Sequence, residues 1–269
     1  MKRNFRPLVA AFLGLCLRTV AASDPAGPEA ALARVDALYE FAVKENYHPA
    51  GLALMEDSLS LCKELLDADP SSYDLLWRSA RSALELAETA KILRNKDWKG
   101  YCADLARQGI AWTDAAKTAE PGSVEGYFWQ MKAMGLLYEA EGAIAFIAKG
   151  YASGSRQNLD ACCAIDPSYL DYTPILAKAL YLYSAPAFLG RDMNQALICF
   201  DEFAGKTRWT FEPYKQYPEA AELLLSTKKA DRVEQARTLL LAALADPTPR
   251  PHYYDIAAAL LAKLEKASR

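Results

Sequence analysis

Residues 184–203, SAPAFLGRDMNQALICFDEF, end one helical pattern and begin another within a few positions. Upstream, YTPILAKALYLY spaces its apolar residues as a helix does, until Pro186, which lacks the N–H that a continuing helix needs. Gly190 has no Cβ to clash at positive φ and suits the residue just past a helix end. Asp192 then offers a side-chain oxygen to the orphan N–H groups of a new first turn. In the helix that follows, Ala196 stands four positions before Phe200, a small residue that lets another backbone approach and a large one that fills the gap beside it. The stretch predicts the tight turn of a helical hairpin, with Pro186, Gly190 and Asp192 as its structural residues.

The same logic recurs along the chain. LLDADPSS, KTAEPGSV, CAIDPSYL and LADPTPRP each follow a helical pattern with an acidic residue and a proline. Counting back from each proline gives Ser58, Cys62, Leu65 and Pro70, then Gly109, Thr113, Ala116 and Pro121. The third set is Ser155, Leu159, Cys162 and Pro167, and the fourth is Gln235, Leu239, Ala242 and Pro247. Small residues recur in the first and third columns, where two packed helices come close, and the proline stops the second helix. This column resembles the second helix of a tetratricopeptide unit. The proline spacings of 51, 46 and 80 exceed the roughly 34 of a standard repeat, so long helices are expected, with an extra pair in the widest gap. The expectation is all-α: a tetratricopeptide-like helical-repeat stack (α-solenoid) of about ten helices in roughly five antiparallel pairs. Residues 23–269 form its single domain.

The first 22 residues read differently. A basic MKRNFRP, a ten-residue apolar LVAAFLGLCL and a small-residue TVAA make the three-part layout of a secretory signal, with cleavage after Ala22. Ten apolar residues are too few to span a bilayer as a helix, which takes about 20. A periplasmic or otherwise exported protein is expected. Cys16 raises the alternative of a lipoprotein, disfavoured by the bulky Leu15 before it. Removing these residues takes away four cations and no acid, moving the formal charge from −3 to −7. An acidic body without a basic run excludes the phosphate neutralisation that nucleic-acid binding requires. Five cysteines remain, in no C-x-x-C pair and with only two histidines in the chain. They are read as small core residues rather than a metal site, with one long-range disulfide left open.

Beyond the generic repeat, VEGYFWQMKAMG (124–135) and the segment from 155 to 203 resemble the T-component family of tripartite ATP-independent periplasmic (TRAP) transporters, the TatT type. Gly126, Tyr127 and Trp129 resemble that family's Gly–aromatic–Trp helix start. Asp166 and Pro167 resemble its Asp–Pro turn, and Pro186, Leu189, Gly190, Asp192, Ala196 and Phe200 its longer signature. The resemblance is specific over 108–205. It departs at Arg191, where a second glycine is common, and in the missing lipid-attachment cysteine, which leaves membrane tethering open. It implies a non-catalytic protein with no cofactor, a ring-like oligomer such as a homotrimer, a TRAP-type solute-binding subunit as partner, and a small hydrophobic ligand in a central cavity or pore.

The residues themselves carry little sign of catalysis. His48 and His252 flank prolines at helix starts. AFIAKGYASGSRQ (145–157) is rich in glycine and serine but lacks a P-loop pattern and is read as a loop. No carboxylate stands in an apolar run that would raise its pKa for acid–base work. The aromatic residues are the ligand-binding candidates: Tyr127, Trp129, Tyr138, Tyr172 and Tyr183. Tyr172 and Tyr183 lie eleven residues apart, about three helical turns, and are expected to share a face. GAIAFIAKG (142–150) is read as an apolar helix end that could wall a pore. The alternative is a protein-interaction scaffold holding no small molecule, in which these rings are packing.

Overall fold

The computed structural model describes residues 27–44, 49–93, 97–245 and 251–267. The leader expected over 1–22, with Cys16, and also His48 and Pro247 lie outside the described residues. Among the described residues the elements are twelve α-helices and one 3₁₀ turn, with no strand. In chain order they are α1 (Pro28–Lys44), α2 (Pro49–Ala68), α3 (Tyr73–Ile92), α4 (Trp98–Ala119), α5 (Val124–Glu141) and α6 (Ala143–Ala148). Then follow α7 (Tyr151–Ile165), α8 (Tyr169–Ser184), the 3₁₀ turn (Ala187–Leu189), α9 (Met193–Lys206), α10 (Pro213–Ser226), α11 (Ala230–Ala245) and α12 (Pro251–Ala267). The chain divides into two compact units, Met1–Ser155 and Arg156–Arg269, with the boundary inside α7.

The pairing is that of a repeat stack. In the first unit α1 packs on α2 and α3 on α4, while α3 also meets α1 and α5. In the second, α8 packs on α9 and α10 on α11, while α10 also meets α8 and α12. The first helix of one pair thus touches the first helix of the next. The helices α2, α4, α7 and α11 end two residues before positions 70, 121, 167 and 247, because proline disfavours the helical region for its predecessor and cannot extend the hydrogen-bond ladder.

Small residues sit where helices approach closely. A Cβ on Gly109 of α4 would lie 3.3 Å from Leu84 Cδ2 of α3, and one on Gly126 of α5 would lie 2.9 Å from Lys117 Cγ of α4. A Cβ on Gly154 of α7 would meet Met134 Cε of α5 at 3.0 Å. Ser58, Cys62, Thr113, Ala116, Leu159 and Cys162 are all buried. The fourth column slips by one: Ala236, Leu240 and Ala243 are the buried residues of α11, not Gln235, Leu239 and Ala242. Counting from Pro247 placed that helix face one residue out of register.

Three further expectations need correction. Residues 142–150 are not a helix end: Gly142 (φ 87°) closes α5 and Gly150 (φ 76°) closes the separate six-residue α6. Within α6, Phe146 is buried while Ile144 is 87% exposed. Residues 151–157 are not a loop but the start of α7, where Gly154 provides close packing against Met134 rather than flexibility. Finally, the start of α8 is not regular helix. Leu170, Asp171 and Tyr172 have φ values of 47°, 58° and 66°, so the right-handed helix begins only after them. The three-turn register that would put Tyr172 and Tyr183 on one face therefore does not apply. At the quoted hairpin, Gly190 has φ 89°, and the Asp192 carboxylate accepts a bond from Gln195 N at 2.9 Å, capping α9.

Candidate functional site

Two local arrangements stand out from ordinary helix packing, one in each unit. In the first, α3 is buried on both sides. Of the described charged residues, the buried ones are Arg81, Glu85, Glu88 and Glu212, and three of these four lie on α3. Arg78, Arg81, Glu85 and Glu88 are spaced by three and four residues and make one stripe along that helix. A buried ion costs several kcal/mol unless it is paired, so each position needs a partner. Asp36 of α1 accepts bonds from Arg78 Nε at 3.0 Å and from Arg81 Nη2 at 2.6 Å. Lys132 of α5 pairs with Glu85. Lys91 bridges Glu88 at 2.7 Å and Glu139 of α5 at 2.8 Å.

Aromatic faces complete the seam. The Arg78 guanidinium lies 4.2 Å from the Trp77 ring, and that of Arg81 lies 3.9 Å from Tyr39 and 5.0 Å from Trp77. Burial disfavours ionised Asp36, but the two guanidiniums outweigh it and hold its carboxyl below the usual carboxylate range. Burial likewise works against the charge on Lys91, and Glu88 and Glu139 overcome it, raising its pKa. The partners Asp36–Arg78, Glu85–Lys132 and Lys91–Glu139 are 42, 47 and 48 residues apart, close to one repeat. The seam therefore ties the first helices of successive pairs and fixes their register.

The second arrangement is the corner where α8 begins. The Asp171 carboxylate accepts from Thr207 Oγ1 (3.0 Å), Arg208 N (3.1 Å), Thr210 N (2.7 Å) and Thr210 Oγ1 (2.9 Å). Burial opposes its ionisation, but these bonds prevail and lower its pKa. They hold the connection between α9 and α10, where Trp209 stacks on Tyr217 at 4.6 Å with its edge toward Phe203 at 5.0 Å. Left-handed backbone costs a non-glycine residue about 1–2 kcal/mol, while carrying a right-handed helix across Pro174 costs about 3 kcal/mol. Four bonds to a charged acceptor offset the cost of the left-handed turn.

The aromatic candidates do not gather at one place: the Trp129 ring lies 5.0 Å from the Lys132 ammonium of the seam, Tyr172 is part of the corner at Asp171, and the others lie elsewhere. Tyr127 donates to Pro121 O at 3.0 Å, beside the Lys117 ammonium. Trp129 is 1% exposed, edge-on to Phe128 at 5.3 Å, with a buried Nε1 that has no hydrogen-bond partner. Tyr138 is partly exposed and packs on Phe146 at 5.4 Å. Tyr172 and Tyr183 pack against the apolar core of the second unit, and burial raises the Tyr183 phenol pKa. The residues that sequence reasoning missed are the charged ones. Their signal is a polar stripe at helical spacing in RSARSALELAETAK (78–91), which nothing local distinguishes from the solvated face of an amphipathic helix. Cys62, Cys102, Cys162, Cys163 and Cys199 are free thiols, and burial pushes Cys102 up to about 11 and Cys162 up to about 12. Among the described residues no group of His, Cys, Asp or Glu is arranged to hold a metal ion, and no helix is long and apolar enough to cross a membrane.

No family model and no curated protein matches the chain in sequence. Among solved structures, it is similar to a thermophilic TPR protein of Thermus thermophilus, with a TM-score of 0.56 and 20% identity over 85% of this chain and 99% of that one. At this identity the likeness shows the fold: an all-α, tetratricopeptide-like helical-repeat stack, the class that the hairpin and the proline column predict.

Proposed function

We propose that this chain is a non-catalytic accessory protein that grips a protein partner through its helical-repeat surface. In its finer form the reading is an exported, TRAP T-component-type protein. It binds the transporter's solute-binding subunit, assembles as a homotrimer and lodges a small hydrophobic ligand among its helices. The observation that carries the coarser reading is the TPR-like architecture along 85% of the chain, since stacked helix pairs offer a long, rigid, repeated surface. The finer reading is supported by the sequence resemblance over 108–205, which includes the buried Trp129, Ala196 and Phe200.

A second reading, a scaffold with no small-molecule ligand, is favoured by the placement of the aromatic candidates. Trp129 belongs to the core packing, and Tyr172 and Tyr183 lean on the second unit's core. Native mass spectrometry and cross-linking of the protein purified from its own host separate the two. A retained small-molecule mass together with cross-links to a solute-binding subunit is expected of the T-component form. A clean protein mass with cross-links to another protein leaves the scaffold. A monomer with neither ligand nor partner removes both.

A further inference from the structure

We infer that Asp171 is the catch of a strap, residues 207–212, which a left-handed turn holds closed and a right-handed alternative releases. The described residues include seven non-glycine positions with positive φ, and five of them meet here: Leu170, Asp171, Tyr172, Trp209 and Glu212. The other two, Asp97 and Lys228, stand singly. The remaining positive-φ positions among the described residues are glycines: Gly27, Gly142, Gly150 and Gly190. Neither DPSYLDYT (166–173) nor TRWTFE (207–212) contains one. A turn with a single permanent conformation is made most cheaply with glycine. Leu, Tyr and Trp in its place favour the opposite conformation, and only outside restraint holds them in this one.

The restraint is mutual. Asp171 bonds the strap at Thr207, Arg208 and Thr210, and the strap in turn fixes Asp171 in its left-handed state. The released state has its first turn prepared. Asp166 Oδ1 already accepts from Ser168 N at 2.9 Å, an N-cap geometry, and Pro167 occupies the position where proline suits a helix start. Relaxation of Leu170–Tyr172 makes a short right-handed turn that stops before Pro174. It carries Asp171 away from the strap and frees Trp209 from Tyr217 and Phe203, opening an apolar face at the edge of the second unit's core.

Leu170 provides a test because glycine and alanine rank oppositely in the two conformations. In the full-length chain, Leu170→Gly is expected to slow amide exchange over 166–174 and 207–212 about fivefold relative to Leu170→Ala, since only alanine carries the left-handed Cβ penalty. With Asp171→Ala added, the order over 166–174 reverses, alanine now protecting better than glycine as in any right-handed turn. Equal or slower exchange in Leu170→Ala, with Asp171 intact, overturns the strained catch, and this arm needs no variant that loosens the strap. An order unchanged by Asp171→Ala, or by the shape-conserving Asp171→Asn, overturns the two-state strap.

Discussion

The two units solve the burial of a central helix in opposite ways. In the first, α3 takes Arg81, Glu85 and Glu88 into the interior at 7%, 3% and 6% exposure; Arg81 and Glu85 are answered by partners about one repeat away, and Glu88 by Lys91 of the same helix, which reaches on to Glu139. In the second, α8 buries Ile175, Leu176, Ala179 and Leu182 against Phe200, Phe203 and the alanines of α10 and α11, and the unusual chemistry moves to the corner at Asp171. Apolar burial is non-directional and tolerates sliding. A buried ion pair is less stabilising than its Coulomb attraction suggests, but it penalises any misaligned neighbour by leaving a charge alone. The first unit thus gains register from its interior, whereas the second relies on shape and concentrates backbone strain in one turn.

The largest expected effect separates these modes. Lys132→Met leaves Glu85 buried without its cation and costs about 3–5 kcal/mol, and adding Glu85→Leu restores most of the loss. In the second unit Phe200→Ala costs about as much, through an unfilled cavity. Urea unfolding reads all three variants, and a double variant as unstable as Lys132→Met removes the contrast. Next comes packing at a close approach: Gly126→Ala drives a Cβ into Lys117 and should cost about 1–3 kcal/mol. No loss of stability would mean that α4 and α5 have room between them. Smaller still is Gly190→Val, where the Cβ meets positive φ, with a cost of about 1 kcal/mol or more. An unchanged melting temperature would show that the turn is not left-handed in solution.

Acid probes both units through carboxylates whose pKa is depressed in the folded state, Asp36 and Asp171. Each contributes stability that is present above the unfolded carboxylate value of about 3.9 and is lost as pH falls through the lower folded value. Asp36→Asn should flatten the acid loss of protection in α1 and α3, and Asp171→Asn that in residues 207–212. The check is hydrogen exchange, corrected for intrinsic rates, between pH 5 and pH 2. A wild-type chain with no acid loss at either place would contradict the assigned bonds.

The fold was legible because its punctuation is local. At each of the four acidic–proline ends the helix stops two residues before the proline, and these ends could be counted directly, although α10 runs on through Pro218. Positive φ at Gly190 and a side-chain bond from Gln195 N to Asp192 are the states their own chemistry favours. The α3 seam was not legible, because the partners of Arg78, Glu85 and Lys91 on other helices lie more than 40 residues away and RSARSALELAETAK alone reads as a solvated stripe. The corner at Asp171 was missed for the opposite reason. Leu170 and Tyr172 favour right-handed backbone, and bonds from a connection 36 to 39 residues later override that preference. The aromatic candidates were chosen by residue type, which does not distinguish a core ring such as Trp129 from a ligand-facing one.

The claim that charge in α3 sets the register of the first unit is tested most directly by hydrogen exchange on full-length Lys132→Met, with and without Glu85→Leu. Faster exchange across α3, α4 and α5 in the single variant, returning to wild-type protection in the double, is the predicted result. Exchange in those helices that is unchanged by Lys132→Met, or that stays fast after Glu85→Leu, would contradict it.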